Sequence, residues 1–124
     1  MKGWFDLNNK ILVADDEKEI RDLLEIYLLN EGYKVVKAKD GQEALDIIEN
    51  EDVDLLVLDI MMPKVNGIEV CKKVRQNKNM PILMLSAKSE DMDKIQGLMT
   101  GADDYMTKPF NPLEFTVRVK ALLR

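Results

Sequence analysis

A chain of 124 residues with a formal net charge of −5 is the size of one domain, large enough to bury a core without staples. Its 46% hydrophobic and 33% charged residues fit an ordinary soluble protein of a reducing cytoplasm, with apolar runs too short to cross a bilayer, no secretory-type start over Met1 to Asp6, and one cysteine, Cys71, which cannot form an internal disulfide. The acidic balance argues against this domain gripping nucleic-acid phosphates, and the absence of histidine excludes Ser-His and Cys-His nucleophiles and imidazole-bound zinc.

Residues 1–9 read as a lead-in whose Trp4 and Phe5 either pack on the domain or are incidental to it. Lys10 to Ala14 is a short buried strand through Ile11, Leu12 and Val13, and it runs into Asp15, Asp16 and Glu17. Three acids there either start the next helix, whose N-terminus favours negative charge, or form part of a site. That helix carries Ile20, Leu23, Leu24, Tyr27 and Leu28 at helical spacing and stops at Gly32. Tyr33 to Ala38 is the second strand, and Asp40 and Glu43 then form a capping-box pattern for a helix with Ala44, Leu45 and Ile48 inward.

The third strand is the most informative stretch. Leu55, Leu56, Val57 and Leu58 offer no polar face, so both sides must be covered, as in a central parallel strand, and the run ends on Asp59. A loop through Pro63 leads to Gly67 and a helix whose Ile68, Cys71 and Val74 share one side, which makes Cys71 a small buried hydrophobe. Lys72, Lys73 and Arg75 are expected to face water. Met80 to Leu85 is the fourth strand, with Pro81 tolerated at its beginning, and it ends in Ser86. A helix opening at Ser89 follows, with Ile95, Leu98 and Met99 apolar and Gly101 as its stop. Asp103 to Thr107 is a fifth strand ending at Lys108. Asn111, Pro112 and Glu114 open the last helix, with Phe115, Val119 and Leu122 inward.

Five strands alternating with five helices predict an α/β, flavodoxin-like doubly wound (βα)5 fold with a parallel sheet in the order 2-1-3-4-5. Right-handed crossovers then place Asp15, Asp16, Asp59, Ser86 and Lys108 on one sheet edge. Three carboxylates held together repel one another and call for a cation. Mg²⁺, with Mn²⁺ as a substitute, suits such oxygen ligands, with Asp16 and Asp59 as direct ligands. Lys108 and the Ser86 hydroxyl would then hold a phosphoryl group, and Asp59 would be its nucleophilic acceptor.

These residues resemble the receiver domain of two-component response regulators over nearly the whole chain. The resemblance rests on Asp15-Asp16, on Asp59-Ile-Met-Met-Pro63, on Ser86-Ala87 and on the segment from Gly101 to Lys108-Pro-Phe110. The last of these looks like the OmpR/PhoB subfamily, and the run from Asp93 to Gly97 with Pro112 to Glu114 looks like VanR-type members. The resemblance implies a receiver domain over residues 10–124, with a winged-helix DNA-binding domain lying outside this chain. It implies phosphorylation of Asp59 by a sensor histidine kinase, with Mg²⁺ on Asp16, Asp59 and the Met61 main-chain carbonyl and on Asp15 through water. Ser86, Ala87 and Lys108 would bind the phosphoryl oxygens, Lys108-Pro109 would be a cis peptide, and Ser86 and Tyr105 would switch together.

The subfamily likeness also implies a homodimer through the fourth predicted helix, the fifth strand and the last helix. Lys94 would pair with Glu114 and Asp104 with Arg118 across the two-fold, around Ile95, Leu98 and Val117. Three positions depart from the family pattern. Met99 replaces an acid and leaves Lys120 without that partner, Ser86 stands where threonine is common, and Lys64 stands where glycine often follows Pro63. Such a protein is a signalling switch rather than a turnover enzyme. The alternatives are a stand-alone receiver or phosphorelay intermediate and, more remotely, a flavodoxin-like electron carrier, whose flavin phosphate the acidic first loop would repel. A dehalogenase-type phosphatase would need a second aspartate where Met61 stands.

Overall fold

The computed structural model describes residues 9–86, 101–109 and 111–124. Its strands are β1 (Lys10–Ala14), β2 (Lys34–Ala38), β3 (Leu55–Asp59), β4 (Ile82–Ser86) and β5 (Asp104–Thr107). Its helices are α1 (Lys18–Asn30), α2 (Gly41–Asn50), α3 (Gly67–Asn77) and α4 (Pro112–Leu122). The sheet is wholly parallel in the order β2-β1-β3-β4-β5, as the alternation of elements required. The helix expected to open at Ser89, with Lys94, Ile95, Leu98 and Met99, lies outside the described residues, as do Trp4, Phe5 and Ala87.

Alternate side chains of each inner strand feed two separate cores. Leu12, Leu56, Leu58 and Met84 pack under α2 and α3 with Ala44, Ile68, Cys71 and Val74. Ile11, Val13, Leu55, Val57 and Leu83 pack under α1 and α4 with Leu24, Leu28, Phe115 and Val119. This double covering explains why β3 and β4 are buried at every position and read as continuous apolar runs. Each such side chain contributes roughly 1.5–3 kcal/mol by leaving water. Cys71 is fully buried, a packing residue as expected.

The helix ends follow their local chemistry. Gly32, at φ +90°, ends α1: its N–H donates to Leu29 O and that of Tyr33 to Leu28 O, the paired bonds of a Schellman stop. Asp40 Oδ1 accepts from the Glu43 N–H at 2.8 Å, while the Glu43 carboxylate reaches back to the Lys39 N–H, one residue earlier than a standard capping box. Asn111 Oδ1 accepts from the Leu113 and Glu114 N–H groups and Pro112 occupies the first turn. Gly41 is required for space rather than for φ, because a Cβ there would run into the Val65 carbonyl.

Two expectations about faces are corrected. Leu23 is 39% exposed, because the buried stripe of α1 is narrower than the apolar one and centres on Leu24 and Leu28. Arg75 does not point into water: its Nε donates to Gly101 O at 2.9 Å and its Nη2 sits 2.7 Å from Asp103 Oδ2, which also accepts the Ile82 N–H. Arg75 thereby ties α3 to the turn that leads into β5. Among the described residues no helix is long and apolar enough to cross a membrane.

Candidate functional site at the carboxyl edge of the sheet

Strand register assembles the site. Ala14 lies opposite Leu58 in the β1–β3 pairing, so Asp15 and Asp59 leave adjacent strands at the same level. Asp59 pairs with Leu85 and Ser86 with Thr107, which brings Ser86 and Lys108 to the same edge. The Lys108 N–H donates to Ser86 O at 2.8 Å, and the Lys108-Pro109 peptide is cis, as anticipated.

Asp15 is fully buried and held from several sides. Its N–H donates to Ala38 O, its carbonyl accepts from Arg21 Nη1, and its Oδ1 accepts from the Glu17 N–H at 2.9 Å. The turn of three acids is thus built around Asp15, while Asp16 and Glu17 face outward. Asp59 is 4% exposed and Ser86 is 3% exposed, so both polar groups sit at the floor of the edge. The Lys108 ammonium lies 2.9 Å from Asp15 Oδ2, 3.4 Å from Asp59 Oδ1 and 3.5 Å from Glu17 Oε1.

One cation does not neutralise this set. Burial, and then the charge of Asp15, push Asp59 up to about 7 against the pull of Lys108. Burial likewise raises Asp15, in spite of the Glu17 N–H and Lys108. Burial works to depress Lys108, but its close ion pair with Asp15 and the charge of Asp59 outweigh that and its pKa is raised. Oxygens of Asp15, Asp16 and Glu17 lie within 4.8 Å of one another, and buried Asp15 Oδ2 has the Lys108 ammonium beside it but no hydrogen bond of good geometry. An under-neutralised group of carboxylate oxygens fits a hard divalent cation.

Sequence reasoning placed Asp15, Asp16, Asp59, Ser86 and Lys108 together, and all five lie at this edge. It assigned no site role to Glu17, whose position in the acidic run was the available signal and whose carboxylate reaches Lys108 only after folding. The Met61 side chain is 63% exposed on the loop after β3. Tyr105, on β5 opposite Met84, is half-buried against the core under α2 and α3.

On the outer face of β5 and α4 the charged groups pair within the chain. Arg118 Nη1 lies 2.7 Å from Asp104 Oδ2, and Arg118 Nη2 lies 3.0 Å from Glu114 Oε2. Lys120, without the acid that Met99 replaces, pairs instead with Glu31 at 2.7 Å, because the ends of α1 and α4 lie side by side. Val117 and Leu113 remain 55% and 71% exposed on α4.

Comparison with known proteins bears on the family and the fold. The family described as response regulator receiver domain matches residues 11–120. The chain is 60% identical over 119 residues to the alkaline phosphatase synthesis transcriptional regulatory protein PhoP of Bacillus subtilis (strain 168), covering 95% of this chain and 50% of that protein. It is 52% identical over 118 residues to the regulatory protein VanR of Enterococcus faecium, covering 95% and 51%. Among solved structures, the Francisella response regulator 1452 receiver domain superposes with a TM-score of 0.88 at 43% identity, covering 94% of this chain and 97% of that one. The chemotaxis protein CheY4 of Vibrio cholerae gives 0.87 at 35% identity, covering 94% and 99%. The chain spans about half the length of the curated relatives it matches.

Proposed function

The chain belongs to the response regulator receiver domain family, and we propose that Asp59 accepts a phosphoryl group from the phosphohistidine of a sensor histidine kinase. The observation that carries this is the sharing of the Lys108 ammonium by two buried carboxylates, Asp15 and Asp59, at the carboxyl edge of the sheet. An Asp59 oxygen attacks phosphorus, the bond from phosphorus to the imidazole nitrogen breaks, and the electron pair leaves with the imidazole. The acyl phosphate formed adds negative charge where Lys108 already stands. The Lys108 ammonium and the Ser86 hydroxyl donate to the phosphoryl oxygens, with Ala87, outside the described residues, expected to join them.

Asp16, Asp59 and the Met61 carbonyl, with Asp15 behind them, would hold Mg²⁺ or Mn²⁺, which supplies charge neutralisation for the incoming phosphoryl oxygens. Glu17 belongs on the rim of the same group. We read the domain as a signalling switch of the cytoplasm, not a turnover enzyme. Ser86 and Tyr105 would report phosphorylation to the face of β5 and α4, where Asp104, Glu114, Val117 and Arg118, with Lys94, Ile95 and Leu98, would form a homodimer. The relatives named above are transcriptional and regulatory proteins about twice this length. A DNA-binding output domain beyond this chain fits that difference.

Mass spectrometry after incubation with acetyl phosphate and Mg²⁺ tests the assignment: one phosphoryl group on Asp59 is expected, and none on the Asp59→Asn variant. Phosphate uptake by that variant at another residue would defeat it. Sedimentation with beryllofluoride and Mg²⁺ tests the dimer, which an unchanged mass would remove.

A further inference from the structure

Lys64 is the one non-glycine among the described residues with positive φ, at +67°, a left-handed conformation that a residue bearing a Cβ adopts only at a cost. It lies in the loop between β3 and α3, five residues after Asp59 and three after Met61. Its Nζ sits 3.5 Å from Asp40 Oδ2. The Asp40 side chain is 7% exposed and already caps α2 through Oδ1, so its second oxygen is turned toward Lys64. The next residues repeat the contact in backbone, because Gly41 lies so close to the Val65 carbonyl that no side chain fits between them. The base of the loop is closed by the Gly67 N–H on Ile60 O at 2.8 Å.

From this arrangement we infer that Lys64 and Asp40 form a brace, acting as positioning residues that hold the loop after Asp59, and with it the main chain of Met61, against the start of α2. The inference rests on the function proposed above. The strained conformation at Lys64 is kept because Asp40 offers its ammonium a counter-charge and Gly41 leaves room for the Val65 carbonyl that follows it. The N-cap of α2 thus sets the site on β3, an element not adjacent to β2 in the sheet.

Four variants separate a brace from plain stability. Lys64→Gly removes both the left-handed cost and the charge, Lys64→Ala removes the charge alone, Asp40→Asn keeps the cap but not the ion pair, and Lys64→Arg keeps the pair. For a brace, Lys64→Gly has an unfolding midpoint equal to or above that of the parent. Amide exchange of residues 60–67 in metal-free protein nevertheless quickens, and the Mg²⁺ dissociation constant rises roughly threefold or more. Asp40→Asn shares the loop and Mg²⁺ effects, and Lys64→Arg restores parental values. Unchanged exchange and unchanged Mg²⁺ binding in both Lys64→Gly and Asp40→Asn would overturn the brace. A parent protein that takes no phosphoryl on Asp59 would overturn the proposed function instead, while loop exchange would still decide the brace.

Discussion

The Lys108 ammonium stands 3.4 Å from Asp59 Oδ1 while it pairs more closely with Asp15, at 2.9 Å. Lys108 is therefore anchored by the deeper acid and leans toward the one proposed to react. Removing it leaves two buried carboxylates facing each other without a cation. In Lys108→Met the Asp59 carboxyl is expected to rise further, as followed by carbon NMR of the side chain. An unmoved titration would show that the pairing does not control Asp59.

The pH dependence follows in sign from the same site. Asp59 is raised from 3.8 to about 7, so between those values the folded chain binds the proton that the unfolded chain has released. Stability from this group is greatest in acid, declines as pH rises through that window and is level above it. Asp15 is raised too and acts in the same direction. Asp59→Asn is expected to flatten the slope and to stabilise the metal-free protein at about pH 8 by roughly 1–3 kcal/mol. Urea unfolding at a series of pH values without divalent ions checks this, and a parental slope that survives in the variant would refute it.

Mg²⁺ should reverse that loss. At a free concentration 100 times its dissociation constant it adds about 2.7 kcal/mol to stability. The gain should vanish in Asp16→Asn, as read from thermal unfolding with and without the ion.

Arg75 and Asp103 offer a test far from the site. Arg75→Ala removes donors to Gly101 O and to a carboxylate that also receives the Ile82 N–H, and a loss of about 2 kcal/mol is expected in urea unfolding. A change below about 0.5 kcal/mol would mean that Arg75 behaves as an ordinary surface charge.

Position on α4 should separate two apolar substitutions. Phe115→Ala empties a fully buried position touching Tyr27, with ring centroids 6.5 Å apart, and is expected to cost about 3–5 kcal/mol. Val117→Ala, two residues on, should stay within about 0.5 kcal/mol in the monomer and act only on self-association. Equal losses from the two would contradict the placement of α4.

Much of the fold was legible from local pattern. Leu55 to Leu58 had to be a covered strand because no residue in it tolerates water, and Gly32, Asp40, Asn111 and Pro112 marked helix ends through chemistry confined to a few neighbours. The order of strands and the crossover rule were then enough to put Asp15, Asp59, Ser86 and Lys108 on one edge. The reach of long charged side chains was not legible. Arg75 to Asp103, Lys120 to Glu31 and Glu17 to Lys108 join separate elements or distant parts of the chain, and a lysine or arginine has the length to choose among several acids.

The sequence by itself determined the identity and order of the described elements and the gathering of acids at one end of the sheet, since periodicity, caps and handedness act locally or through topology alone. Only the tertiary structure decided how far each group is buried, which acid holds Lys108 most closely, and that Lys64 takes a left-handed turn against Asp40. Those outcomes depend on desolvation and on distances across packed elements, quantities that come into being only when the layers close.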